Sequence, residues 1–369
     1  MSIAESSEST SADTRVSPAA TGLRRGGARR RHARRRAAAE RSIPVRRLLS
    51  RPAEVTTDWI VPGDPIFSHL LATLSAVFPN GEDFFVASVR RHRDAVADDP
   101  SLKAQVKGFI GQEAMHGRAH RALNTRLAEL GYHTDRADRV IARLCDLILR
   151  SRPRRLAIAV TAAAEHYTGL LGESALDHEP TRRILFGQES IEPLICWHAL
   201  EELEHKNVAF DVMESAGGGY PIRVAGFVVT TGVLAGYVGI EWGRAVFEDR
   251  RRITAEHRRR FSSNFARQRL VSWWFLRKSL AFLRPGFHPD DTHTDDLVRE
   301  WRARLADVAV ATKASTAGEA ARSPATERRE RVTKQSCGRG PAGRAWKGAP
   351  DRAGSGTGPP PAGRGRREG

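Results

Sequence analysis

The chain has 369 residues, 40 % of them hydrophobic and 28 % charged, with 60 Lys and Arg against 43 Asp and Glu for a net charge of +17 at neutral pH. Such a length would hold two or three domains, but ends rich in Arg, Gly and Pro cannot bury a core and remove much of it. Three cysteines without paired spacing, Cys145, Cys196 and Cys337, exclude a disulfide-stapled fold, and since each tail carries about eight of the net positive charges, the pI near 10.8 describes the tails.

Residues 1–50 make the first tail, with Arg24-Arg25, Arg29-Arg30-Arg31 and Arg34-Arg35-Arg36 set among Ala, Gly and Ser. No apolar segment follows the twin arginines, so the stretch does not read as a signal peptide, although its composition has a transit-peptide flavour. Without a recognition fold beside them, the basic tails read as solvated segments ahead of nucleic-acid binders. Unpaired cysteines favour a reduced, cytoplasmic compartment.

From residue 51 onward helical periodicity dominates and strand alternation is almost absent, so the fold class is all-α. Ile66 to Val77 reads as a short apolar lead-in that Pro79 and Gly81 break, placing Glu82 in the first turn of a helix running to Ala97. Ser101 after Pro100 reads as the N-cap of a long helix to Leu130, closed by Gly131. Asp135 opens a helix to Arg150. Pro153 suits the first turn of a helix ending near Asp177. Thr181 then caps one helix that bends at Pro193 and stops at Gly217-Gly218-Gly219. Residues 51–218 are thus expected to form a helical bundle.

Residues 219–311 are expected to add helices. Val224 to Ile240 is free of charge and contains Gly232 and Gly236 at membrane-helix spacing. A buried or bundle-flanking helix is the favoured reading there and membrane insertion the second. Arg250 to Arg284 is basic, with Trp273, Trp274 and Phe275, and suits either a membrane surface or packing on the bundle. Thr294 to Ala311 reads as a last helix before the Gly, Pro and Arg tail of residues 312–369.

The chemistry lies in the middle. Glu113 and His116, and again Glu202 and His205, stand three residues apart on helices whose apolar stripes run through both pairs. Ionised carboxylates cost several kcal/mol to bury unless a charge compensates them, and metal ions supply that charge. Two further helices each offer one glutamate, Glu82 and Glu165. A Glu from each of two helices with a Glu-x-x-His from each of two others is the recipe for a dimetal site in a four-helix bundle. The predicted ligands are therefore Glu82, Glu113, His116, Glu165, Glu202 and His205, for two divalent ions, with Fe or Mn favoured and Zn compatible.

Glu204 lies about 160° round the helix from Glu202, and Glu201 about 100°, so Glu204 is expected to be solvated or to support a ligand. His120, His166 and His198 are candidates for catalytic, added-ligand or supporting roles, with His198 the foremost added ligand. Tyr167 is read as packing ahead of redox. No Ser-His-Asp arrangement, phosphate loop or dinucleotide fingerprint is present.

Phe78-Pro79-Asn80-Gly81-Glu82-Asp83-Phe84-Phe85, Gln112-Glu113-Ala114-Met115-His116, Glu165-His166-Tyr167-Thr168-Gly169 and the run Trp197 to Lys206 resemble a bacterial family labelled metal-dependent hydrolase, ferritin-like in its motif grammar. The resemblance covers residues 55–290. It implies hydrolysis of a small-molecule substrate, whereas the ligand pattern looks like the di-iron oxidases and oxygenases, which act on apolar substrates. A non-catalytic metal-binding protein of ferritin type, and a scaffold on a membrane or nucleic acid whose Glu and His are structural, are the other readings.

Overall fold

The computed structural model describes residues 43–46, 59–186 and 190–306; the tails expected from composition, Cys337 and the end of the last helix lie outside them. Among the described residues there is helix and no strand. The long elements are α1 (Pro65–Arg90), α2 (Pro100–Glu129), α3 (Thr134–Arg150) and α4 (Arg155–Asp177). A short α5 (Glu179–Phe186) precedes α6 (Glu192–His205) and α7 (Val208–Ser215). Then come α8 (Tyr220–Glu248), whose middle, Val233–Val238, is π-helical, α9 (Ala255–Arg267), α10 (Trp273–Ala281) and α11 over 295–306.

Four segments close a ring: α1 packs on α2 and α4, and the α6–α7 pair packs on the same two helices. Along each, apolar residues flank a polar middle. On α1 Phe67 and Leu71 precede Glu82, and Phe84, Phe85 and Val89 follow it. On α2 the order is reversed, with Val106 and Phe109 ahead of Glu113 and with Leu123 and Leu127 beyond His120. Ile191, Leu194 and Trp197 lead into the α6 motif, and Val208, Phe210 and Val212 leave it. The polar layer is therefore sealed between two apolar plugs, each removing about 25 cal/mol of unfavourable hydration per Å² buried. Small residues on α4, Ala159, Ala162 and Ala163 among them, let neighbours approach.

The break expected at Pro79 does not occur. Proline lacks the N–H that would bond the Ser75 carbonyl one turn back, but Asn124 on α2 donates its Nδ2 to that carbonyl at 3.0 Å. A tertiary partner takes the place of the lost bond, so Glu82 sits inside a continuous helix, and α1 ends at Arg90 rather than Ala97. The cap of α2 is Asp99, not Ser101: its Oδ1 accepts the Leu102 N–H at 3.0 Å, with Pro100 in the first turn. At the other end Gly131 takes φ +93°, and the N–H groups of Gly131 and Tyr132 close on the Ala128 and Leu127 carbonyls.

One bent helix from Thr181 was also too simple. Proline disfavours helix in the residue before it and suits the first turn, so Pro193 opens α6 instead of kinking a longer element. The chain breaks again at Lys206 and Asn207, where Lys206 Nζ donates to the Thr292 carbonyl and to the hydroxyls of Thr292 and Thr294, each at 2.8 Å. Gly217, at φ +74°, closes α7.

Outside the ring α3 packs on α1, and α8 and α10 on α4. Helix α8 is long and apolar enough to cross a membrane, yet it lies against α4 with 28 % of its most apolar stretch buried. Contact is tightest at Gly226, where a Cβ would lie 2.5 Å from the Ala159 backbone. Gly226→Ala should therefore cost about 1–3 kcal/mol in denaturant unfolding. Gly243→Ala on the same helix, where a Cβ meets nothing within 4 Å, should be neutral or add up to about 1 kcal/mol.

Candidate metal centre

Each wall of the ring contributes an acidic residue to the sealed layer. Glu113 and His116 come from α2, one helical turn apart; Glu202 and His205 repeat that spacing on α6; Glu82 comes from α1 and Glu165 from α4. Every one of these six side chains is buried. Donor atoms of Glu113, His116, Glu202 and His205 lie within 4.8 Å of one another, and those of Glu82, His120 and His198 form a second such group. His198 links the two, with Nε2 2.7 Å from Glu202 Oε1 and 3.8 Å from Glu82 Oε1. Glu165 joins neither group directly; its Oε2 is 2.9 Å from His205 Nδ1. The second group thus takes two histidines that the motif spacing alone did not assign to it.

Electrostatics oppose this arrangement as it stands. Burial, reinforced by the charges of Glu113 and Glu202, pushes the Glu82 carboxyl well above its ordinary range. Burial likewise raises Glu113 and Glu165, despite the His205 ring between them. Glu202 differs: burial acts upward, but His205 and His198, together with the Thr168 hydroxyl, outweigh it and hold Glu202 low. His205 is raised well above its usual value by Glu165, Glu202 and Glu113, which overcome its own burial. Were all four carboxylates ionised, one imidazolium would not neutralise them.

Several donors lack a hydrogen bond. Both oxygens of Glu82 and of Glu113, Oε1 of Glu165, Nδ1 of His116 and Nε2 of His205 are buried and make none, although Glu113 Oε1 and His205 Nε2 stand 3.0 Å apart as an ion pair. Buried polar atoms normally find partners, and an unpaired one costs about 1–3 kcal/mol. Oxygen and imidazole donors converging from four helices meet the need of a divalent cation, so the residues present fit a metal site.

Surrounding groups set the donors. Glu201 Oε2 takes the His116 Nε2–H at 3.0 Å, leaving the Nδ1 lone pair toward Glu113 and Glu202, 3.7 Å from an oxygen of each. Burial, with the charges of neighbouring histidines, keeps His116 neutral. A second chain begins at Pro79. The Asn124 amide, oriented by the freed Ser75 carbonyl, accepts the Ser75 hydroxyl at Oδ1, 2.7 Å. Ser75 Oγ then receives His120 Nδ1–H at 2.9 Å, and His120 Nε2 receives His198 Nδ1–H at 2.9 Å. These bonds turn His198 Nε2 toward Glu202 and Glu82.

Glu204, expected to be solvated or supporting, is buried in a clamp. Arg46 reaches it from outside the ring at 2.6 and 2.7 Å, Arg302 of α11 at 2.6 Å, and the Gln112 amide at 2.9 Å. These cations outweigh burial and hold Glu204 below its usual value. Arg46 also pairs with Glu201 at 3.0 Å, and the Pro44 carbonyl accepts from Gln112. His166, a catalytic candidate by position, is turned elsewhere: its Nε2 donates to the Lys278 carbonyl, and its ring packs on Phe282 and Phe287. Tyr167 stacks on Phe227 and hydrogen-bonds Thr231. Arg46, Ser75, Asn124 and Thr168 were not singled out from sequence; only the three-residue spacing to Glu165 could have drawn attention to Thr168.

A pocket enclosing about 740 Å³ of empty space, the open solvent at its mouth included, adjoins the cluster. Leu71, Leu74, Phe78, Leu123, Leu127 and Ile195 are among its apolar lining, and Ser75, His120, Thr168, His198 and Glu202 are its polar side chains.

Two outcomes follow. Metal bound at about 100 times its dissociation constant should stabilise the fold by about 2.7 kcal/mol, so chelation should lower the melting temperature and added metal restore it, read by calorimetry. Arg46→Ala, which strips a cation from Glu201 and Glu204, should weaken metal binding about 10- to 100-fold in competition with a fluorescent chelator while the helix content stays unchanged.

A family model described as predicted metal-dependent hydrolase matches residues 44–293, and the chain belongs to that family. No curated protein and no solved structure matches it.

Proposed function

From that membership we propose a hydrolase with a dinuclear metal centre held by Glu82, Glu113, His116, Glu165, Glu202 and His205, joined by His198, acting on a small apolar substrate in the adjoining cavity. The observation that supports it is the meeting of unpartnered buried donors from four helices beside an apolar cavity. Bound there, two divalent cations would polarise a carbonyl or phosphoryl oxygen and lower the pKa of water, or, as iron, supply dioxygen chemistry.

The chain's own residues do the remaining work. Leucine and isoleucine side chains hold the apolar part of the substrate and exclude water, which strengthens every charge interaction nearby. Thr168 holds Glu202 from the α4 side. His198 stands on the cavity wall against Glu202, and its Nδ1 can pass a proton to His120 Nε2 and on toward Ser75. Hydrolysis releases protons, and this chain of bonds carries one away from the reacting atoms.

An oxidative reading is favoured by a separate observation: besides Ser75, His120, Thr168, His198 and Glu202, the cavity offers no polar side chain to recognise a scissile ester or amide. One experiment separates the two. Protein purified without added metal is analysed for elements, then offered acyl esters of increasing chain length while oxygen uptake is followed. About two Fe or Mn per chain, with kcat/KM rising with chain length and no oxygen consumed, is the expected result; oxygen uptake tied to product selects the oxidative reading, and a metal-free, inert protein overturns both. Leu74→Trp, narrowing the cavity, should cut kcat/KM for the longest ester about tenfold more than for the shortest, the equivalent of about 1.4 kcal/mol.

A further inference from the structure

The cavity wall includes Leu270, and the chain leaves that residue directly into solvent. Val271 is 61 % exposed and Trp273 75 %. On α10 the residues Trp273, Leu276 and Leu280 follow one another at three and four positions, so they form one stripe, and all three are exposed. Tyr167 stacks on Phe227 of α8 and Phe275 of α10, with ring centroids 5.7 and 6.4 Å away, so both helices meet at that side chain of α4. Val228 of α8 is exposed as well. Apolar side chains gathered on one face mark a surface that is covered in use.

The charge around this face says what covers it. From Arg250 to Arg284 the chain has ten Arg and one Lys against a single Glu. Exposed Arg277 follows Leu276 on α10, and Arg269 and Lys278, paired with Asp177 and Glu173, lie over the Trp274 ring, 4.7 and 4.6 Å from its centroid. Exposed tryptophan and leucine rimmed by cations match the boundary between acyl chains and anionic headgroups. We propose that this face docks on an anionic lipid bilayer and that the cavity draws an acyl-chain amphiphile from it past Leu270. The second half rests on the cavity being the substrate site; the docking does not.

The test is flotation of the full chain with vesicles of phosphatidylcholine containing phosphatidylglycerol, at low salt and at 0.5 M salt, where attraction by basic tails is screened. Binding that survives high salt, and that falls about tenfold or more in the triple variant Trp273→Ser, Leu276→Ser, Leu280→Ser, is the expected result. Brominated acyl chains should quench the fluorescence of the native chain more than that of Trp273→Phe. Equal flotation of native chain and triple variant, complete release by salt, or equal quenching overturns the proposal. So does a doubled mass in solution that the triple variant halves, without vesicle binding, since a second copy would then cover the face. The three residues lie on the surface, away from the metal donors, so metal content should stay unchanged in the variant. Loss of metal from the native chain would instead count against the catalytic reading alone.

Discussion

Four carboxylates share one dry layer inside the helical ring, and their mutual repulsion must be met by positive charge. Nearby acidic residues show how the protein meets that need where it uses its own cations. Glu204 has Arg46 and Arg302, and Glu201 has Arg46. Among the described residues, the ion pairs made by Glu82, Glu113, Glu165 and Glu202 are all with histidine. Arginine is thus spent on the outer carboxylates and kept from the inner ones. That division is unfavourable in an interior with nothing further to bind and sensible in one that holds cations.

The same constraint explains the layering of the ring. Apolar plugs on both sides of the polar layer keep water from screening it, and the cavity beside Glu202 and His198 offers an approach. Orientation comes from further out. Glu201 fixes the His116 ring, and the chain from Asn124 through Ser75 and His120 fixes His198, so donor directions are set by hydrogen bonds made before any ion arrives. Pro79 takes part in this. By giving up its own helical bond it frees the carbonyl that aligns Asn124.

The all-helical class and the placing of Glu113, His116, Glu202 and His205 together were legible because helical spacing alone puts each pair on a buried face. What escaped the sequence was tertiary. A proline rule sees the missing N–H at position 79 but not an amide 49 residues from Ser75 that answers for it. His166 neighbours Glu165 in the chain, yet one residue is about 100° round a helix, and its ring belongs to the aromatic cluster. Local spacing gave two equivalent half-sites; the fold gave Glu82 two histidines and left Glu165 against His205. Composition was least informative at Arg46, one arginine in an Arg-rich stretch, whose partners lie more than 150 residues away.

That arginine bears on how the protein can be handled. The natural place to shorten the chain, judged by where charge-rich sequence gives way to helix, is near residue 50. A fragment begun there would retain all four walls of the ring, yet among the described residues Glu201 would keep no guanidinium and Glu204 only the one from α11. Cutting the terminus for convenience in crystallisation would therefore remove a structural part of the centre, and a weakly loaded fragment would say little about the intact molecule.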